Sequence, residues 1–101
     1  MNKKVAVIGL GLIGGSIALE LKKRFQWTVF GIDVSEENAK KALKIGIIDQ
    51  IADFSVVENM DVVVIAVPVN HAPELALAVL DSVKNDALVF DVGSTKQNYK
   101  A

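Results

Sequence analysis

Hydrophobic and polar positions along this 101-residue chain follow two rhythms. Short, nearly continuous apolar runs recur at residues 4–8, 28–32, 61–67 and 87–91. They are rich in β-branched residues and too short for helices, so they predict strands, the run at 61–67 buried on both faces. Between them, apolar residues recur every three or four positions, the period of an amphipathic helix. Ile13, Ile17 and Leu21 form such a stripe in a helix predicted over about 12–24, with Glu20, Lys22, Lys23 and Arg24 toward solvent. The cations gather at its C-terminal end, where the helix dipole favours them. A second helix is predicted after Ser35 as N-cap, with Glu36 and Glu37 in its first turn and Gly46 as its stop. A third follows Asn70 and places Ala72, Leu75, Ala76, Val79, Leu80 and Val83 on one apolar face. Residues 47–54 are the least regular. A short strand is predicted at 50–52, and Ser55-Val56-Val57-Glu58 matches a capping box, which predicts a single helical turn.

Strand and helix alternate as in parallel βαβ units. Right-handed crossovers then leave one sensible arrangement, an α/β Rossmann-type doubly wound sheet with strand order 3-2-1-4-5 and helices on both faces. Pro68 ends the fourth strand, because it cannot donate to the ladder. The carboxyl ends of the strands share one edge, where open α/β sheets bind ligands.

That edge carries the most informative motif. Gly9, Gly11 and Gly14 spell G-x-G-x-x-G between a predicted strand and a predicted helix, the context that gives the pattern meaning. Gly9 permits the tight turn, Gly11 removes a side chain that would block a pyrophosphate, and Gly14 lets helix and strand approach. The N–H groups at the helix start, around Leu12 and Ile13, are placed to face phosphates. Asp33 stands nineteen residues after Gly14, at the tip of the second strand. Its carboxylate can accept from ribose hydroxyls and would repel a 2′-phosphate, which favours NAD over NADP; its ordinary alternative is to cap the next helix together with Ser35. Val67 and Pro68 lie on the same edge, at the tip of the fourth strand.

Composition narrows the field. Half the residues are hydrophobic and the net charge is −1, which fits one folded domain and leaves no basic footprint for nucleic acid. The absence of cysteine excludes disulfides, thiolate metal sites and cysteine nucleophiles, and one histidine excludes a histidine-rich metal site. Met1-Asn2-Lys3-Lys4 before the uncharged residues 5–19 has the outline of a secretory leader, but cleavage there would discard the first strand and the motif glycines. The expectation is a cytoplasmic protein without a membrane partner.

Other candidates each have an ordinary reading. Gly15 either serves close packing of its helix on the sheet or approaches a ligand. Ser16, one turn in, is an ordinary helix residue. Ser94, just past the fifth strand, would face the nicotinamide end of a dinucleotide, whereas spacing alone favours a turn serine that caps the next helix. Lys96 could meet an anionic substrate or stand solvated, and Asp91 could cap nearby N–H groups. His71 falls in the first turn of a helix with no partner evident for a general base. Leu77 lies off the apolar face of its helix, as a single exposed leucine or as a contact with another domain or chain.

Taken together, VIGLGLIGGSIALEL, GID at the second strand, VVVIAVPV and DVGSTK resemble the dinucleotide-binding domain of prephenate dehydrogenases, a family that includes arogenate dehydrogenases. The likeness runs from Lys4 to about Lys96. The Gly-Leu-Ile-Gly-Gly-Ser and Asp-x-Gly-Ser-x-Lys elements carry it more specifically than the glycines alone. Related β-hydroxyacid dehydrogenases usually have Met where Ile13 stands. The resemblance implies NAD-dependent oxidative decarboxylation of prephenate to 4-hydroxyphenylpyruvate in tyrosine biosynthesis, by a homodimeric parent. It places Ser94 near the substrate hydroxyl and the nicotinamide, as a catalytic residue. It also implies a catalytic histidine beyond Lys96, in a His-Pro-x-Ala-Gly-like segment that His71 does not match. The expectation is therefore that residues 1–101 are the dinucleotide-binding domain of a longer dehydrogenase, inactive alone. A non-catalytic NAD(H)-responsive module and the cofactor domain of an arogenate or β-hydroxyacid dehydrogenase are the alternatives.

Overall fold

The computed structural model describes residues 3–67 and 72–92, with Ala72 and Pro73 described through their backbone. In chain order the elements are β1 (Lys4–Ile8), α1 (Leu12–Phe25), β2 (Thr28–Ile32), α2 (Glu36–Lys44), β3 (Gln50–Ile51), a 3-10 helix (Phe54–Asn59), β4 (Val62–Ile65), α3 (Ala72–Ser82) and β5 (Leu88–Asp91). The sheet runs β3-β2-β1-β4-β5 and all four pairings are parallel. The predicted order 3-2-1-4-5 is the one observed.

Register aligns the carboxyl ends. Ile8 stands beside both Ile32 and Ile65, and Ile65 beside Asp91, so the β1–α1, β2–α2 and β4–α3 connections leave from one edge. The central strands β1 and β4 are buried almost throughout because they are covered on both faces. Their side chains alternate between two cores. Val5, Val7, Val62 and Val64 pack with Ala18 of α1 and with Ala39 and Ala42 of α2. Ala6, Ile8, Val63 and Ile65 pack with Val57, Met60 and Val79 on the opposite face. Each fully buried valine contributes about 1.5–3 kcal/mol over an exposed one. The edge strand β5 is only half covered: Val89 faces α3, while Leu88 and Phe90 stay more than half and half exposed on the other face.

The helix starts and stops follow local chemistry. Ser35 caps α2 by accepting from Asn38 N–H, and Gly46, at φ +86°, lets the chain leave the helix. In α1 the exit residue is Gln26, left-handed at φ 57°, whose N–H donates to Lys22 O.

Several details differ from the sequence reading. The buried positions of α1 are Gly14, Gly15 and Ala18, not the Ile13 stripe. Small residues let the helix axis approach the sheet, so Ile17 and Leu21 pack only at its flank and Ile13 remains 53% exposed. Lys22 is not simply solvated: its Nζ donates to Gly46 O at 3.0 Å and to Asp49 Oδ1 at 2.9 Å. The 3-10 helix is capped by Asp53 rather than Ser55. The Asp53 carboxylate accepts from both the N–H and the hydroxyl of Ser55, so the hydroxyl is spent as a donor. The fourth strand stops at Ile65, two residues short of Val67, although Ala66 N–H still reaches Ile8 O. On α3, Val79 is buried and Leu75, Ala76 and Val83 pack on the core, but Leu80 is 58% exposed; the buried face is narrower than predicted. Leu77 is exposed, as its position off that face predicts. Asn70, the predicted cap, lies outside the described residues.

Candidate functional site

The loop between β1 and α1 is pressed between the tips of β2 and β4. Gly9 N–H donates to Ile32 O at 2.7 Å on one side, and Ala66 N–H donates to Ile8 O at 2.8 Å on the other. Gly9 sits at φ +96°, and a Cβ there would meet Ala66 O at 2.5 Å and Val67 Cγ1 at 3.2 Å. Both conformation and space exclude a side chain. A Cβ on Gly14 would lie 1.8 Å from Gly9 O, so the first turn of α1 rests directly on the loop backbone. Gly11 differs, because its Cβ position opens onto free space with nothing within 4 Å. The backbone thus needs a glycine for the turn at Gly9 and for close packing at Gly14, and leaves an open face at Gly11.

α1 begins at Leu12, with Gly11 as its N-cap and no side chain accepting from its first turn. Gly15 N–H makes the first intrahelical bond, to Gly11 O, so helix geometry leaves the N–H groups of Leu12, Ile13 and Gly14 without intrahelical acceptors. No acidic residue stands in that turn, and Leu12 is 92% exposed. The positive end of the helix dipole thus opens beside the bare face of Gly11.

Asp33 follows β2 at the same edge. Its Oδ2 accepts from Leu10 N–H and its Oδ1 from Ser35 N–H, both at 2.7 Å. The capping alternative considered from sequence is therefore realised at Ser35, and a bond to the glycine loop is added to it. Each oxygen keeps a second lone pair for another donor. Glu36 and Glu37 in the first turn of α2 add negative charge nearby. A groove of about 220 Å³ runs between the first half of α1 and the length of α2 from Asn38 to its C-cap Ile45, lined by Gly11, Leu12, Ser16, Asn38, Lys41 and Ile45 among others. Its few polar groups include one cation, Lys41.

The structure thus brings Gly9, Gly11, Leu12, Ile13, Gly14, Asp33 and Val67 to one edge, with Val67 half-buried against the glycine loop. Pro68, His71, Ser94 and Lys96 lie outside the described residues. Sequence reasoning did not single out two contributors. Ala66 is the small residue the loop requires, and its place at the end of a β-branched run is the signal that could have revealed it. The Leu10 N–H has no such signal, since every residue except proline carries one. Among the described residues no group of three or more His, Cys, Asp or Glu side chains could hold a metal ion, and no helix is long and apolar enough to cross a membrane.

Comparison with known proteins decides the family. The family model of the prephenate dehydrogenase nucleotide-binding domain matches residues 17–101. The chain belongs to this family. It is 44% identical to the prephenate dehydrogenase of Bacillus subtilis (strain 168), over 96% of this chain and 27% of that protein. The structure superposes with a TM-score of 0.83 on prephenate dehydrogenase from A. aeolicus in complex with hydroxyphenyl propionate and NAD+, at 33% identity, covering 93% of this chain and 34% of that one. The Synechocystis arogenate dehydrogenase gives a TM-score of 0.82 at 26% identity, covering 90% of this chain and 33% of that one. The chain spans between about a quarter and a third of the length of the curated relatives it matches.

Proposed function

We propose that residues 1–101 form the NAD-binding domain of a prephenate dehydrogenase, and that the whole protein converts prephenate to 4-hydroxyphenylpyruvate in tyrosine biosynthesis. One juxtaposition carries this reading: in a chain of this family, the open N-terminus of α1 beside Gly11 shares an edge with the Asp33 carboxylate. The N–H groups of Leu12, Ile13 and Gly14 bind the pyrophosphate, and the helix dipole favours its charge. Asp33 accepts from the adenosine ribose through its remaining lone pairs. Gly9 and Gly14 hold the loop against β4, while Val67 and Pro68 wall the cofactor cleft. Bound NAD supplies the hydride acceptor, and loss of the substrate carboxylate as CO₂ leaves an aromatic ring. Ser94, past the end of β5, orients the substrate hydroxyl. A separate helical domain of the whole protein supplies the catalytic histidine and the contacts of a cytoplasmic homodimer.

The test is NADH formation by the whole protein with prephenate and NAD, and by its Ser94→Ala variant. Turnover with prephenate that falls in the variant supports the assignment. Full activity in the variant removes Ser94 from the mechanism, and no turnover removes prephenate. Residues 1–101 alone bind NAD without turning prephenate over. The likeness to Synechocystis arogenate dehydrogenase favours arogenate as the second substrate to assay.

A further inference from the structure

The tie between Asp33 and the glycine loop exceeds what a ribose acceptor requires. The bond from Leu10 N–H to Asp33 Oδ2, at 2.7 Å and partly buried, joins groups 23 residues apart. Leu10 lies between Gly9 and Gly11, two residues that give the backbone unusual freedom, and its side chain is anchored in the core under α1. The other oxygen holds Ser35 N–H at the start of α2. One carboxylate therefore spans the phosphate loop, the tip of β2 and the cap of the next helix.

We propose that Asp33 is a positioning residue for the phosphate-binding loop, acting through Leu10 N–H, in addition to contacting the ribose. This rests on the NAD reading above. Ordering a loop flanked by glycines costs conformational entropy, and a loop held in advance does not draw that cost from binding. A charged acceptor makes a stronger tie than a neutral one. Asparagine cannot replace it, because one of its two terminal atoms is a donor and would face either Leu10 N–H or Ser35 N–H. The pyrophosphate end of the site thus depends on a side chain whose direct contact is at the adenosine end.

The experiment is a cycle between protein and cofactor. Calorimetry measures NAD and an NAD analogue whose adenosine ribose lacks both hydroxyls, against this chain and its Asp33→Asn variant. If Asp33 acts only through the ribose, the two proteins bind the analogue equally, and that result overturns the proposal. The expected result is that the variant binds the analogue about tenfold or more weakly than the parent chain does. A measurement on the unsubstituted chain guards against a variant that fails to fold. The Leu10 amide is protected from hydrogen exchange in the parent chain and loses that protection in Asp33→Asn. A Leu10 amide that exchanges freely in the parent chain overturns the latch. If the unsubstituted chain binds neither ligand while its Leu10 amide stays protected, the NAD reading fails and the latch stands as a feature of the loop.

Discussion

Gly14 and Gly15 are adjacent, both buried and both in the first turns of α1, yet the structure predicts opposite outcomes for alanine at each. A Cβ on Gly14 would stand 1.8 Å from Gly9 O and 3.2 Å from Ala66 Cβ. The helix start must recede by about 1.2 Å to reach the 3.0 Å floor of real Cβ contacts, and the obstacle is backbone rather than a flexible side chain. Forced overpacking costs about 1–3 kcal/mol, and a rigid obstacle puts this case at the upper end. The gain from removing a helical glycine, about 0.5–1 kcal/mol, offsets only part of that. At Gly15 the nearest atoms are Ile47 Cδ1 at 3.9 Å and Leu10 O at 4.0 Å, ordinary contact, so the helix-propensity gain stands almost alone. Gly14→Ala should therefore lose about 2 kcal/mol and Gly15→Ala should gain up to about 1 kcal/mol. In a domain of this size the gap corresponds to a difference in Tm above about 10 °C. Urea unfolding followed by fluorescence of the single tryptophan, Trp27, which stacks on Phe25, reads both variants. Gly14→Ala as stable as the parent chain, or Gly15→Ala falling as far as Gly14→Ala, would refute the packing argument.

Two further predictions concern stability. Burial opposes ionisation of Asp49, but the bonds from Val29 N–H and the Lys22 ammonium outweigh it and hold the carboxyl below its ordinary value of 3.8. Lys4 N–H and then the Lys84 ammonium lower Asp61 in the same way. Depressed folded values mean that this stability is full above the ordinary carboxyl range and is lost as pH falls through the lower folded values. Urea midpoints should drop between neutral pH and pH about 3, and Asp61→Asn should flatten that drop while lowering the neutral midpoint; a midpoint that is flat or rises toward acid contradicts the assignment. Gln26 is the one non-glycine residue with positive φ among the described residues. Gln26→Gly should raise stability by up to about 1 kcal/mol by relieving the left-handed conformation, seen as a higher Tm, and a lower Tm would contradict it.

The strand order and the placement of Gly9, Gly11 and Gly14 between β1 and α1 were legible because they follow from short-range pattern plus handedness. β-branched runs mark the strands, and right-handed crossovers then leave one order. The packing face of α1 was not legible in the same way. Hydrophobic periodicity finds large side chains, whereas this helix approaches the sheet through Gly14, Gly15 and Ala18. The cap at Asp53 was missed because the Ser55-x-x-Glu58 pattern was satisfied, while a carboxylate two residues earlier is a better acceptor than a hydroxyl. The bond between Asp33 and Leu10 leaves no periodic trace: it links a side chain to a backbone N–H across 23 residues, and only the folded register brings them together.

On the proposed function, the edge built by Gly11, the start of α1 and Asp33 holds NAD. Calorimetric titration of this chain with NAD and NADP, in parallel at one ionic strength, tests it most directly. One NAD should bind per chain and NADP about tenfold weaker or worse, since Asp33 and the flanking Glu36 and Glu37 repel a 2′-phosphate. Binding of neither dinucleotide, or NADP bound as tightly as NAD, would contradict it.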